Sequence, residues 1–158
     1  MTVDTNDHAP AFDAPTDGDG RISLDDLKGQ AFILYFYPKD DTPGCTKESC
    51  AFRDNLPAFE KIGLRVIGIS KDSPAKHDKF KAKYDLPFTL ISDEDGSICE
   101  AYGTWVEKSM YGRKYMGIDR ATFLIDAEGK IRKIWRKVKV KGHVEEVLAE
   151  AQELKLAA

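Results

Sequence analysis

Cysteine is scarce in this chain: Cys45, Cys50 and Cys99 are its three cysteines in 158 residues. So small and odd a number argues against a disulfide scaffold and leaves reactive or merely buried thiols. Long apolar runs are lacking as well. The longest, AFILYFY at 31–37, falls far short of a membrane span. Neither sign of charge dominates. A formal net charge of −3 is too small for a strong general attraction to nucleic acid or membranes. The opening MTVDTNDHAPAFDAPTDGDG has no basic n-region and no apolar h-region, so it does not read as a secretory signal. A cytoplasmic location is expected. No repeat, linker or low-complexity tract interrupts the chain.

What is present suits one globular domain spanning 1–158, with 42% hydrophobic residues. Residues 1–9 read as a loose tail. TDGDG, within 10–22, signals a short hairpin. AFILYFY reads as a buried strand, apolar throughout and bounded by Gly29 and Pro38. A helix should follow from Pro43. LRVIGIS (64–70) is a second buried strand, and FTLI (88–91) a third. Between them SPAKHDKFKAKYD (73–85) reads as a helix capped by Ser73, with Pro74 in its first turn. GSICEAYG is a short helix. ATFLID (121–126) and KIRKIWRKV (130–138) form a hairpin around AEG. HVEEVLAEAQELK (143–155) closes the chain as an amphipathic helix. This order predicts an α/β fold: a mixed central sheet with helices on both faces, in a thioredoxin-like arrangement.

The chemistry concentrates in YFYPKDDTPGCTKESC (35–50). Thr42 can be the N-cap of the helix and Pro43 its first residue, where a missing N–H costs nothing. Cys45 then falls in the first turn. Unpaired N–H groups and the positive end of the helix dipole favour a negative charge there, and a thiol so placed has its pKa lowered from about 8.5. From position alone, a buried structural cysteine fits as well. Cys50 gives a C-x4-C spacing, which excludes the C-x-x-C redox motif. On a regular helix the two cysteines lie about 7.5 Å apart in rise and about 140° apart in rotation. A disulfide needs Cα atoms within about 7 Å, so the two can join only if the helix start unwinds. Pro57 is expected to kink or end the helix, leaving a Cys-bearing segment of about three turns.

FYPKDDTPGCTKESC resembles the active-site segment of the peroxiredoxins, with Pro38, Thr42 and Cys45 in the P-x3-T-x2-C pattern. PGCTKESC is similar to the bacterioferritin-comigratory, or Q-type, subgroup. The likeness continues through FRDNL, VIGIS, FTLISDEDG, YGTW and GIDRATFLIDAEGKI, over roughly residues 10–150. The resemblance implies a cofactor-free thiol peroxidase acting on hydrogen peroxide or organic hydroperoxides. It implies Cys45 as the peroxidatic cysteine, which becomes a sulfenic acid. It implies Cys50 as the resolving cysteine, forming an intrachain disulfide that thioredoxin or a similar dithiol reduces. It implies that Thr42 hydrogen-bonds the peroxide, that Pro38 shields the sulfur, and that Arg120 is the active-site arginine. A guanidinium beside the sulfur favours the thiolate and stabilises the leaving oxygen's charge. A monomer is expected, since an intrachain pair needs no second subunit. The rival reading is a redox sensor whose Cys45–Cys50 pair switches with little turnover.

Other signals are weaker. Cys99 lies on an apolar helix face without a neighbouring cation, and an inert buried thiol is expected, with a resolving role as the minor alternative. TDGDGRISLDD imitates a calcium loop, with Asp17, Asp19, Gly20 and Ile22 in register. Pro15 stands at the first ligand position, Asp26 at the last, and no helix precedes, so a hairpin turn is the default. KIRKIWRKVKVK (130–141) holds seven basic residues and no acidic one. An edge strand with outward lysines is preferred to a nucleic-acid patch. His8, His77 and His143 lack metal spacing, and no metal is expected. Trp105, Met110, Tyr111 and Met116 read as ordinary packing, or else as a pocket lining. Glu48 matches the subgroup motif, and a solvated helix face explains it as well.

Overall fold

The computed structural model describes residues 3–154. In chain order the strands and helices are β1 (Asp13–Pro15), β2 (Arg21–Ser23), β3 (Phe32–Phe36), α1 (Pro43–Lys61), β4 (Arg65–Ser70), α2 (Pro74–Tyr84), β5 (Thr89–Ser92), α3 (Ser97–Ala101), β6 (Trp105–Met110), β7 (Arg113–Ile118), β8 (Ala121–Ile125), β9 (Ile131–Trp135) and α4 (His143–Leu154).

Five strands form the central sheet in the order β5-β4-β3-β8-β9. β3, β4 and β5 run parallel, whereas β8 and β9 are antiparallel to their neighbours. The sheet is therefore mixed, as expected. Strand alternation splits its side chains between two cores. Phe32, Leu34 and Phe36 of β3 point to one face, with Phe123 and Ile125 of β8. The N-terminal hairpin and α3 cover that face through Ile22, Ile98 and Tyr102. Ile33, Tyr35 and Tyr37 point to the other, against Phe52 and Phe59 of α1, Phe80 of α2, and Val144 and Val147 of α4. β3 is central and buried on both faces, which is why its sequence is apolar at every position.

Three expectations need correction. Residues 3–9 are not a loose tail: Asn6 N–H donates to Ile131 O at 2.7 Å, Ile131 N–H to Asp7 O at 2.9 Å, and Ala9 is buried. These residues cover the start of β9, the sheet's outer strand. Residues 1–2 of the expected tail, and residue 155 of the expected closing helix, lie outside the described residues. Pro57 does not end α1, which continues four residues past it to Lys61. The aromatic rings of Phe52 and Phe59, in contact with each other and with the sheet face, hold the two halves of α1 on one surface. Finally, Met110, Tyr111 and Met116 are exposed rather than packed. They sit on a two-stranded hairpin, β6–β7, that the sequence reading did not anticipate. Its turn, Tyr111-Gly112, has positive φ at both residues, 52° and 78°.

The remaining elements stand where expected. Ser73 caps α2 by accepting the Lys76 N–H at 3.3 Å. Asp17 accepts from Lys81 Nζ at 2.7 Å and from Leu90 N–H at 2.8 Å, so its carboxylate serves the fold.

Candidate active site

The site forms where β3 leaves the sheet. The connection 38–42 crosses the strand ends and delivers the chain to Pro43, the first residue of α1. A buried network pins this connection. Asp40 accepts the Tyr37 hydroxyl at 2.5 Å and His77 Nδ1 at 2.7 Å, and its N–H donates to Asp72 Oδ2 at 2.8 Å. His77 Nε2 faces Ile91 O at 2.9 Å. Both ring nitrogens thus meet oxygen acceptors. Burial works against a charge on His77, but the hydrogen bond and charge of Asp40 outweigh it and raise the pKa. Outside this network, exposed Asp41 accepts from Lys83 Nζ and the Tyr84 hydroxyl, tying the connection to α2 as well. Asp40, His77 and Asp41 were not among the sequence-predicted site residues.

Thr42 occupies the N-cap position, as expected, with extended φ/ψ of −100° and 156°. Its hydroxyl does not cap a helical N–H. It donates to Lys39 O at 2.9 Å, leaving the oxygen's lone pairs for another donor. Pro38 is half-buried on the same connection. Pro43 has no N–H, and those of Gly44 and Cys45 have no helical acceptor in the first turn. Cys45 lies in that turn and is 1% exposed.

Arg120 reaches the same place from between β7 and β8. Its Nη2 donates to Cys45 Sγ at 3.3 Å and its Nη1 to Glu48 Oε1 at 2.7 Å. Glu48 lies three residues beyond Cys45, on the same helix face. That face is not solvated, which removes one of the two readings its sequence allowed: Glu48 is 0% exposed. Burial raises its pKa to about 7, against the opposing pull of Arg120. Its Oε2 is buried with no hydrogen-bond partner among the described residues. Gly44 gives the guanidinium room, since a Cβ there would stand 3.2 Å from Arg120 Nη2.

Cys50 is half-buried one turn further along α1, and all three thiols are free. α1 is helical through both positions, so Cys45 and Cys50 occupy different faces. Cys99 is fully buried on the opposite face of the sheet. Burial and the neighbouring Asp93 carboxylate push its pKa well up, which makes it a poor nucleophile. The structure therefore joins Arg120 to Cys45, places Thr42 and Pro38 on the connection that leads to it, and sets Cys99 apart.

A donor-lined buried sulfur at a helix start, served by one arginine, is suited to nucleophilic redox chemistry. The comparisons agree. The AhpC/TSA family model matches residues 5–134. A putative peroxiredoxin Bcp of Coxiella burnetii is 58% identical, covering 94% of this chain and 98% of its own. Peroxiredoxin Bcp of Bacillus subtilis is 49% identical, covering 94% of each. Among solved structures, a cysteine-to-serine mutant of Xylella fastidiosa PrxQ superposes with a TM-score of 0.92 at 39% identity, covering 97% of this chain and 98% of that one. The bacterioferritin comigratory protein of Xanthomonas campestris, described with its alkyl peroxide reduction activity, gives 0.87 at 42% identity, covering 91% and 92%. The frame around the β3–α1 corner is thioredoxin-like, and the chain belongs to the AhpC/TSA family, in its Bcp/PrxQ peroxiredoxin subgroup.

Proposed function

We propose that the chain reduces hydrogen peroxide and organic hydroperoxides through Cys45, closes an intrachain Cys45–Cys50 disulfide, and is recycled by thioredoxin or a similar dithiol. The observation that carries this reading is the 3.3 Å contact between Arg120 Nη2 and the buried Sγ of Cys45, at the N-terminus of α1. Both the donor and the helix terminus favour negative charge on sulfur, and the thiolate is the nucleophile. The alkyl peroxide activity attributed to the Xanthomonas relative supports the substrate class.

In the first step a sulfur lone pair attacks the terminal peroxide oxygen. An S–O bond forms, the O–O bond breaks, and its electron pair leaves on the alkoxide. Sulfur is oxidised by two electrons and the peroxide reduced by two. Arg120 stabilises the charge growing on the leaving oxygen. The Thr42 hydroxyl donates its one hydrogen bond to Lys39 O, so toward the substrate it accepts from the peroxide O–H. Pro38 limits the approach of water. In the second step the Cys50 sulfur displaces hydroxide from the sulfenic acid, which leaves as water after protonation. This step requires the first turns of α1 to come apart. No cofactor takes part, the working unit is a monomer, and the site of action is the cytoplasm.

Loss of NADPH in the presence of thioredoxin and its reductase measures turnover. Cys45→Ser is expected to leave less than about a few per cent of the wild-type rate, given a role as sole nucleophile. Cys50→Ser is expected to consume one peroxide per chain and then stop. Sustained turnover by the first variant overturns the nucleophile, and unchanged recycling by the second moves resolution to another thiol.

A further inference from the structure

Arg120 is a single cation shared by two acids. One guanidinium nitrogen serves Cys45 Sγ and another serves Glu48 Oε1. Glu48 has no exposure at all, and its second oxygen has no partner among the described residues. Two full negative charges beside one guanidinium would leave a net buried charge, which is costly. A proton on Glu48 removes that charge.

We propose that Glu48 balances the charge of the peroxide step: it carries a proton while Cys45 is a thiolate and is ionised once Cys45 is a sulfenic acid. Arg120 makes the exchange possible by turning its charge from one acid to the other. This inference rests on the reading of Cys45 as the peroxide-reducing nucleophile.

The thiolate and ROOH give a sulfenic acid and RO⁻, and RO⁻ takes one proton to leave as ROH. With Glu48 inert, that proton is drawn from solvent. With Glu48 giving one up as the thiolate charge disappears, no net proton is drawn. The pocket also keeps its charge through the step: thiolate, guanidinium and carboxylic acid become sulfenic acid, guanidinium and carboxylate. Glu48 touches Arg120 rather than the peroxide, so it is a positioning residue acting through the guanidinium.

The groups around this triad are few. Tyr35 of β3 lies close enough for the charges of Glu48 and Cys45 to act on it, and burial keeps its hydroxyl protonated. Lys108 of β6 and His143 of α4 both feel the charge of Arg120. Burial lowers the pKa of Lys108, and burial lowers that of His143 to about 4, so the imidazole is neutral at pH 7. Glu48, with its pKa raised to about 7 chiefly by burial, is the group placed to change protonation in the working range.

The test uses the Cys50→Ser chain, in which the sulfenic acid is the end of the reaction. One equivalent of an alkyl hydroperoxide is added in weakly buffered solution, about one unit below the raised pKa, with a pH-indicator dye. Little net proton uptake is expected. The same chain carrying Glu48→Gln, which still accepts from Arg120 Nη1, is expected to take up about one proton per Cys45. Equal uptake by the two chains overturns the proposal. Infrared difference spectra of the Cys50→Ser chain alone provide a second reading that does not depend on the glutamine variant folding. A protonated-carboxyl band should disappear on oxidation, and a band that persists, or was never there, overturns the proposal. Dimedone labelling of Cys45 keeps the two hypotheses apart. An unlabelled Cys45 refutes the nucleophile, whereas a labelled Cys45 without a carboxyl change refutes only the role of Glu48.

Discussion

Gly44 separates Pro43 from Cys45, and its missing side chain lets Arg120 close on the sulfur. An added Cβ would stand 3.2 Å from Nη2. Gly44→Ala is therefore expected to displace the guanidinium by a few tenths of an ångström and to slow the first oxidation about tenfold, since misplacement of a catalytic group by about 1 Å can cost about a hundredfold. Alanine favours the helix, so the fold should lose no stability. Stopped-flow oxidation and a urea transition would measure the two effects, and an unchanged oxidation rate would show that the approach of Arg120 is not critical. Residues such as Thr42 and Cys45 could be singled out from sequence because a strand end, a proline and a helix start lie side by side there. Arg120 could not, because 75 residues separate it from Cys45 and only the sheet joins them. The family resemblance alone drew attention to it. Glu48 could be read two ways because a charged residue on a helix belongs by default in water. Its i+3 relation to Cys45 was visible, but the cation that permits its burial was not.

On the proposed mechanism, α1 has to be firm enough to present Cys45 and weak enough to release it. Phe52, stacked on Tyr35 at a centroid distance of 4.5 Å, and Phe59 hold its middle and end. Its first two turns depend on the Glu48–Arg120 pair and the Ser49–Tyr35 hydrogen bond, at 2.7 and 2.8 Å. Unwinding as far as Cys50 breaks these two and spares the aromatic contacts. Pro57 adds a missing hydrogen bond at the Arg53 carbonyl. Pro57→Ala restores that bond in the part of α1 that stays folded, and is expected to change neither the first oxidation nor disulfide closure. Rapid-quench mass analysis separates the two steps, and slowed closure would mean that unwinding runs on past Phe52. The proline's presence was plain in the sequence, but its consequence depended on aromatic packing on both sides of it, which is tertiary. The β6–β7 hairpin escaped notice for a different reason. Its strands are largely exposed, so they lack the apolar alternation that marks a half-buried strand, and Tyr-Gly is a less familiar turn than Asn-Gly.

For the molecule as a whole, stability should depend on pH through His143, whose Nε2 lies 2.8 Å from Thr122 Oγ1. Burial lowers its pKa from 6.5 to about 4. Between those values the unfolded chain binds a proton that the folded chain does not, so this contribution is complete above about 6.5 and is lost as pH falls toward about 4. Glu48 acts with the opposite sign. Its pKa is raised from 4.5 to about 7, so the folded chain binds the extra proton and stability falls as pH rises through that window. His143→Gln should remove the first slope and leave the second, read from urea midpoints between pH 4 and 7. Parallel pH profiles for the two proteins would refute the assignment to His143. The central sheet and the order of its helices could be read from sequence because β3, β4 and β8 are mainly apolar strands, each buried at five consecutive residues. The ordering of residues 3–9 could not, since their bonds run to the backbone of residues 129–131 and no side-chain pattern records them. The most direct measurement is disulfide mapping by mass spectrometry after the reduced chain meets one equivalent of an alkyl hydroperoxide. A single bond from Cys45 to Cys50 within one chain is expected, with Cys99 still a thiol; a bond through Cys99, a bond between chains, or an unoxidised Cys45 would contradict it.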